Sequence, residues 1–162
     1  MANPTPSHHK QHCRELLQTL LTASGREERH EWSSRVCRWL AHWIPSLHEV
    51  RTIATYAALE TEVDLGALHA GLQASCQFAY PLVVGRTLRF YRVADPNERT
   101  GAFGVPEPDP RLHAMAGPDE LDLCLCPGLG FTRGGVRLGR GKASYDSVLP
   151  QLPSTVDRKS VV

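Results

Sequence analysis

Residues 121–146 constrain the fold of this chain more than any other segment. Leu121-Asp-Leu-Cys-Leu-Cys126 has the composition of a short buried strand, and it opens directly onto Pro127-Gly-Leu-Gly-Phe-Thr-Arg-Gly-Gly-Val-Arg-Leu-Gly-Arg-Gly-Lys-Ala-Ser-Tyr-Asp146. That second stretch holds six glycines and four cations, and no acid precedes Asp146. Glycine lets backbone N–H groups approach an anion closely, and a following helix N-terminus adds a favourable dipole. Strand, glycine loop and helix in this order read as an anion cradle, with Arg133, Arg137, Arg140 and Lys142 supplying charge and Asp146 available to a metal ion. A surface loop is the competing reading, because a hairpin through Gly134-Gly135 would use half of these glycines without any ligand. The run is neither a P-loop nor a dinucleotide fingerprint, since both spacings are missing in the required context.

The remaining pattern points to an α/β domain. A helix is expected from Ser7 to about Ala23, with Leu16, Leu17, Leu20 and Leu21 on one stripe and Gly25 after it. Lys10 and Arg14 extend the line of Leu17 and Leu21, so they either snorkel over the core edge or point into a rim where an anion binds. A second helix, Glu27 to Ile44, places Trp32, Val36, Trp39, Leu40 and Trp43 on one side, read as core packing, and Pro45 ends it. Arg51 to Tyr56, Gln77 to Val83 and Thr87 to Val93 read as strands, Val63 to Ala74 as a helix and Ala94 to Ala116 as loop. Helices between strands imply a three-layer α/β/α arrangement on a mainly parallel sheet, and ligands of such sheets sit at the carboxyl ends of the strands. The glycine run follows such an end.

A chain of 162 residues with 41% hydrophobic content suits one domain, residues 1–162, burying roughly 70% of its unfolded surface. A net charge of +1 gives no global attraction to nucleic acid or to a membrane, so any anion site must be local. Without an apolar signal segment or a membrane span, a cytoplasmic protein is expected. Cys13, Cys37, Cys76, Cys124 and Cys126 are odd in number and irregular in spacing, which argues for reduced, mostly buried thiols. His8, His9, His12 and Cys13 offer i to i+4 metal-binding pairs, but a solvated terminus explains them as well.

Several motifs together resemble one family, 5-formyltetrahydrofolate cyclo-ligase. Residues 127–139 are similar to its Pro-Gly-Leu-Ala-Phe-Asp-x-x-Gly-x-Arg-Leu-Gly, and Asp122 to Cys126 to its Asp-Leu-x-Leu strand. Tyr56 with Glu62-Val-Asp64 resembles the family's Tyr-x-x-x-x-x-Glu-x-Asp segment. Tyr80-Pro81 and Leu88 to Tyr91 resemble its central strands, and Phe103-Gly-Val with Glu107-Pro108 its Gly-Ile-x-Glu-Pro element. Lys10-x-x-x-Arg14 is similar to its N-terminal nucleotide contact.

The resemblance implies a three-layer α/β enzyme that uses ATP and magnesium to convert 5-formyltetrahydrofolate into 5,10-methenyltetrahydrofolate. In that chemistry the formyl oxygen attacks the terminal phosphate, the neighbouring folate nitrogen closes the ring and phosphate leaves. The residues it implies for nucleotide are Lys10, Arg14, Arg137, Gly139, Arg140, Gly141, Lys142, Ala143, Ser144 and Tyr145, with Arg140 and Lys142 serving catalysis. Tyr56, Glu62 and Tyr145 would meet the folate, Glu62 by accepting two hydrogen bonds from the amino-pyrimidine edge, and Asp146 would hold the metal. Gly139-Arg-Gly-Lys-Ala-Ser-Tyr-Asp146 departs from the family's Gly-x-Gly-Gly-Gly-x-Tyr-Asp at Lys142 and Ala143. A Cβ at either position narrows the cradle, and a catalytically impaired relative is the alternative that follows. Residues 150–162 look too short and polar to replace the strands with which the family usually continues, so an open sheet edge is expected, in a monomer or weak homodimer.

Overall fold

Period-two burial at the centre of the chain fixes the layers. The computed structural model describes residues 6–47, 49–94, 107–141 and 144–161. In chain order these form α1 (Pro6–Ala23), α2 (Arg26–Trp43), β1 (Thr52–Ala54), α3 (Gly66–Leu72), β2 (Gln77–Val84), β3 (Thr87–Arg92), β4 (Met115–Ala116), β5 (Leu123–Pro127), β6 (Gly130–Phe131), β7 (Arg137–Leu138), α4 (Ser144–Val148) and β8 (Asp157–Val161). Six strands make one sheet in the order β4-β3-β2-β1-β5-β8. β1 runs parallel to β2 and β5, and β5 to β8, while the β2–β3 and β3–β4 pairs are antiparallel. The sheet is thus mainly parallel, as the spacing of strands and helices implies.

Alternate residues of the central strands serve different cores. Ile53, Phe78, Tyr80, Leu123 and Leu125 join Cys37, Leu40, Ile44, Leu65, Leu68 and Leu72 on the α2–α3 face. Ala54, Ala79, Cys124 and Cys126 face the other way, toward Leu88, Phe90, Val148, Leu152 and Val156. Both faces are covered, which is why β5 reads as an unbroken apolar run rather than an alternating one. Each fully buried Ile or Leu contributes roughly 1.5–3 kcal/mol by leaving water. The polar exception at the start of β5 is satisfied, since Asp122 Oδ2 accepts from the backbone N–H groups of Arg51 at 2.9 Å and Thr52 at 2.8 Å.

Three expectations are corrected. The inner face of α2 is Ser33, Cys37 and Leu40, continued by Ile44, whereas Trp32 and Trp39 remain 38% and 56% exposed. Small residues win because the helix must approach the segment after β1: Cys37 Sγ donates to the Asp64 carbonyl at 3.3 Å and Asp64 N–H donates to Ser33 Oγ at 3.1 Å. Trp39 instead stacks on Trp43, with centroids 5.4 Å apart. On α1, Leu16 and Leu20 are 52% and 66% exposed and only Leu17 and Leu21 turn inward, so the four leucines are not one buried stripe. Finally, within residues 150–162, expected to be too short and polar to replace the usual C-terminal strands, 157–161 still pair with β5 as one parallel edge strand held by its backbone ladder.

The expected 63–74 helix is shorter at Gly66–Leu72, and the expected 94–116 loop includes β4. Phe103-Gly-Val lies outside the described residues, as do Lys142 and Ala143. Among the described residues no helix is long and apolar enough to cross a membrane.

Candidate functional site

Chain direction brings the candidate residues to one end of the sheet. Tyr56 and Glu62 follow β1, and Gly128 onward follows β5, both at carboxyl ends of parallel strands where peptide dipoles and loops converge. Between them the glycine run folds first as a small hairpin. β6 pairs with β7, Thr132 N–H donates to Val136 O at 2.9 Å, and Gly135 N–H donates to Thr132 O at 3.0 Å. Gly134 and Gly135 therefore belong to a turn, and Arg133 stands exposed on it, away from the cation cluster described next.

The second half of the run faces inward. Arg14 on α1 donates from Nε to the Gly139 carbonyl at 2.9 Å, which docks the first helix on the loop. The same docking brings Leu17 close to position 130, where a Cβ would stand 2.8 Å from Leu17 Cδ1 and make that side chain shift. Arg137 lies on the opposite side of Gly139, with Nη1 2.8 Å from where a Cβ would stand. Its guanidinium donates from Nη1 to the Pro127 carbonyl at 2.9 Å and from Nη2 to Asp146 Oδ1, and it covers the Tyr145 ring at 5.5 Å from the centroid. Two cations thus flank one residue, yet among the described residues no carboxylate pairs with Arg14. Gly141 has φ +95, a conformation that costs an L-residue on the order of 1 kcal/mol.

Arg140 reaches across to the segment after β1. Nε donates to Glu62 Oε1 at 2.9 Å and Nη2 to Thr61 Oγ1 at 2.8 Å, while Glu62 Oε2 accepts from Leu59 N–H at 3.0 Å. Glu62 is only 9% exposed in its side chain, so it is not the solvated helix-end acid that its position alone would suggest. Thr61 is a partner that sequence reasoning missed, and its adjacency to Glu62 was the available signal. Lys10 is exposed on α1, one turn before Arg14, and Ser144 opens α4.

The two tyrosines are differently placed. Tyr56 is buried and donates its hydroxyl to the Val63 carbonyl at 3.0 Å, and burial, reinforced by Glu62, pushes its pKa far above the ordinary phenol value. It remains a neutral donor and shapes the Glu62 segment. Tyr145 has a buried hydroxyl with no hydrogen-bond partner, and burial, then the neighbouring Cys124 and Cys126, raises its pKa as well. An unpaired buried hydroxyl costs about 1–3 kcal/mol. We expect Tyr145→Phe to melt at the same temperature or a few degrees higher while losing turnover about 10-fold or more. A drop in both melting temperature and turnover would make the residue purely structural.

A different polar group was not legible at all. His69 on α3 lies between Thr55 Oγ1 at 3.0 Å and Tyr80 Oη at 2.8 Å, and tilts against Phe78. His69, Phe78 and Tyr80 line a cavity of about 190 Å³ with Tyr56, Asp64 and Gln73. The N-terminal histidines do not form a metal centre: His9 Nε2 and Cys13 Sγ are 3.9 Å apart on an exposed face, and no group of three or more candidate ligands occurs among the described residues.

The model of the 5-formyltetrahydrofolate cyclo-ligase family matches residues 6–162. Among solved structures, an Aquifex aeolicus 5,10-methenyltetrahydrofolate synthetase superposes with a TM-score of 0.79 at 28% identity, covering 94% of this chain and 77% of that one. A 5,10-methenyltetrahydrofolate synthetase from Mycoplasma pneumoniae gives 0.74 at 22% identity, over 91% and 80% of the two chains, a likeness of fold. No curated protein sequence matches this chain. With a family model spanning both the N-terminal helix and the glycine loop that Arg14 joins, the chain belongs to the 5-formyltetrahydrofolate cyclo-ligase family.

Proposed function

We propose that this protein converts 5-formyltetrahydrofolate into 5,10-methenyltetrahydrofolate with consumption of ATP, in a site shared by the 128–146 segment, α1 and the segment after β1. The observation that carries the proposal is the meeting of Arg14 and Arg137 at Gly139 beside Asp146. Guanidinium groups present paired donors in a fixed fork that matches phosphate oxygens, and phosphoryl transfer asks a protein mainly to position and neutralise.

The residues take separate roles in this reading. Lys10, Arg14, Arg137, Arg140 and Lys142 supply charge to phosphate oxygens, and Gly139, Gly141, Ala143 and Ser144 supply backbone contacts. Arg140 and Lys142 neutralise charge that grows as the formyl oxygen meets the terminal phosphate. Glu62 orients the pterin through its amino-pyrimidine edge, and Tyr145 offers its unpaired hydroxyl to the folate beside Tyr56. Asp146, 66% exposed in its side chain, suits a magnesium ion held by one carboxylate together with substrate phosphates. When bound, that ion neutralises phosphate charge.

The test is formation of the methenyl product, followed by its absorbance, by the full chain with MgATP and 5-formyltetrahydrofolate. Folded protein that shows no turnover, with or without glycine restored at Lys142 and Ala143, would defeat the proposal and leave the impaired relative. Arg14→Ala is expected to weaken nucleotide binding about 10- to 100-fold, since hydrogen bonds between charged groups contribute about 1.5–3 kcal/mol. Lys10→Ala should act in the same direction. Titration with a nucleotide measures both, and unchanged affinity would remove α1 from the site.

A further inference from the structure

The inference concerns how the two halves of the site communicate, and it rests on the reading of Glu62 as the folate contact and Arg140 as a phosphate contact. Glu62 does not present a free carboxylate edge to an amino-pyrimidine as it stands. One oxygen accepts from Arg140 Nε at 2.9 Å, the other from Leu59 N–H at 3.0 Å, and only 9% of the side chain is exposed. Arg140 is bound equally firmly. Its Nε and Nη2 donors, one edge of the guanidinium fork, are spent on Glu62 and on Thr61 Oγ1 at 2.8 Å. Paired donors of this kind are what grips a phosphate, so this edge cannot serve Glu62, Thr61 and a nucleotide together.

The pair is partly buried, and withdrawing one member alone leaves an uncompensated charge. An incoming anion next to Gly139 and Gly141 supplies the compensation on the arginine side, and a pterin supplies it on the glutamate side. We infer that Arg140, steadied by Thr61, is a latch that makes folate binding depend on nucleotide: phosphates of a nucleoside triphosphate draw Arg140 off Glu62, which then receives the pterin. Thr61 is the positioning residue of this latch, touching neither substrate.

The coupling is measurable because linkage is reciprocal. Each ligand must raise the affinity of the other by the same factor, and couplings of this kind span about 5- to 150-fold. If the latch is open in about one molecule in ten without nucleotide, the factor is about tenfold, because apparent affinity falls with the fraction of competent protein.

The experiment is calorimetric titration of the full chain with 5-formyltetrahydrofolate, with and without saturating magnesium and a non-hydrolysable β,γ-imido ATP analogue, and the converse titration. We expect folate to bind about tenfold more tightly with the analogue present, and the analogue to gain the same factor from folate. Thr61→Val, which keeps the size and removes the acceptor, should bind folate more tightly than the parent without nucleotide and show a smaller factor. If both ligands bind and folate affinity is equal or lower with the analogue, the latch is overturned and the assignment of the two sites stands. A factor unchanged in Thr61→Val also overturns it. Binding of neither ligand would overturn both the latch and the functional reading beneath it.

Discussion

Asp146→Asn is expected to reduce turnover by at least ~100-fold while leaving the fold intact, because in the proposed reading the carboxylate would hold the ion that neutralises the transferring phosphate. The fold should tolerate the change. Asp146 is 66% exposed, its bond from Arg137 survives in weakened form with the amide oxygen, and surface ion pairs of this type contribute about 0–1 kcal/mol. Methenyl absorbance reports the first effect and thermal melting the second. Wild-type turnover in a properly folded variant would rule out Asp146 as the metal ligand. A drop of more than ~10 °C in melting temperature, beyond the ~2–4 °C per kcal/mol of a chain this size, would show that the Arg137 pair holds the loop together.

Ile53→Ala carries the largest expected effect on stability. Ile53 is fully buried on β1, in register with Phe78 on one side and Leu123 on the other, so the deletion opens a cavity that backbone on both flanks prevents from closing. Such truncations cost about 2–5 kcal/mol. At about 2–4 °C per kcal/mol for a chain of this size, the melting temperature should fall by roughly 4–20 °C. Leu16→Ala on α1, at 52% exposure, is the matched control and should stay within about 0.5 kcal/mol. Equal losses in the two variants would contradict the placement of β1 at the centre of the sheet.

Local pattern reached further into the fold than into the site. Leu121 to Cys126 and Arg51 to Tyr56 are apolar or β-branched runs that can be satisfied only between two covered faces, and both lie in the parallel core. On α2 the expected face holds for Val36, Leu40 and Trp43, which pack on the core, and fails for Trp32 and Trp39. The tryptophans satisfy the helical period, but the bonds of Asp64 with Ser33 and Cys37 hold that side of the helix against the segment after β1, and Trp32 and Trp39 stay outside. Periodicity reports that a helix has an apolar side; it does not report what the opposite surface demands. β8 was missed for a related reason, since an edge strand can be held by its backbone ladder while its side chains stay polar.

At the site, residue types were legible and their pairings were not. Glycines and arginines between Pro127 and Asp146 left an anion cradle and a hairpin as competing readings, and the structure builds the hairpin from part of the run. Their division into a hairpin through residues 132–136 and an inward-facing turn at 139–141 came from backbone pairing and the positive φ of Gly141. Arg14 was suspected from its place on a leucine line, but its bond to Gly139 joins residues 125 apart. The Arg140 bonds to Glu62 and Thr61 span 78 and 79 residues, and His69 meets Thr55 and Tyr80 only because α3 packs over β1 and β2.

By itself, the sequence determined the layered α/β class, the strand that opens the site and the cationic, glycine-rich chemistry of the loop after it, because these depend on local composition and period. Tertiary structure decided which face of α2 is buried, that residues 157–161 complete an edge, and that Arg140 holds Glu62 while Arg137 holds Asp146. Those outcomes depend on side chains brought together by strand order across long loops, where the partner of a charge is set by the fold and not by its neighbours in the chain.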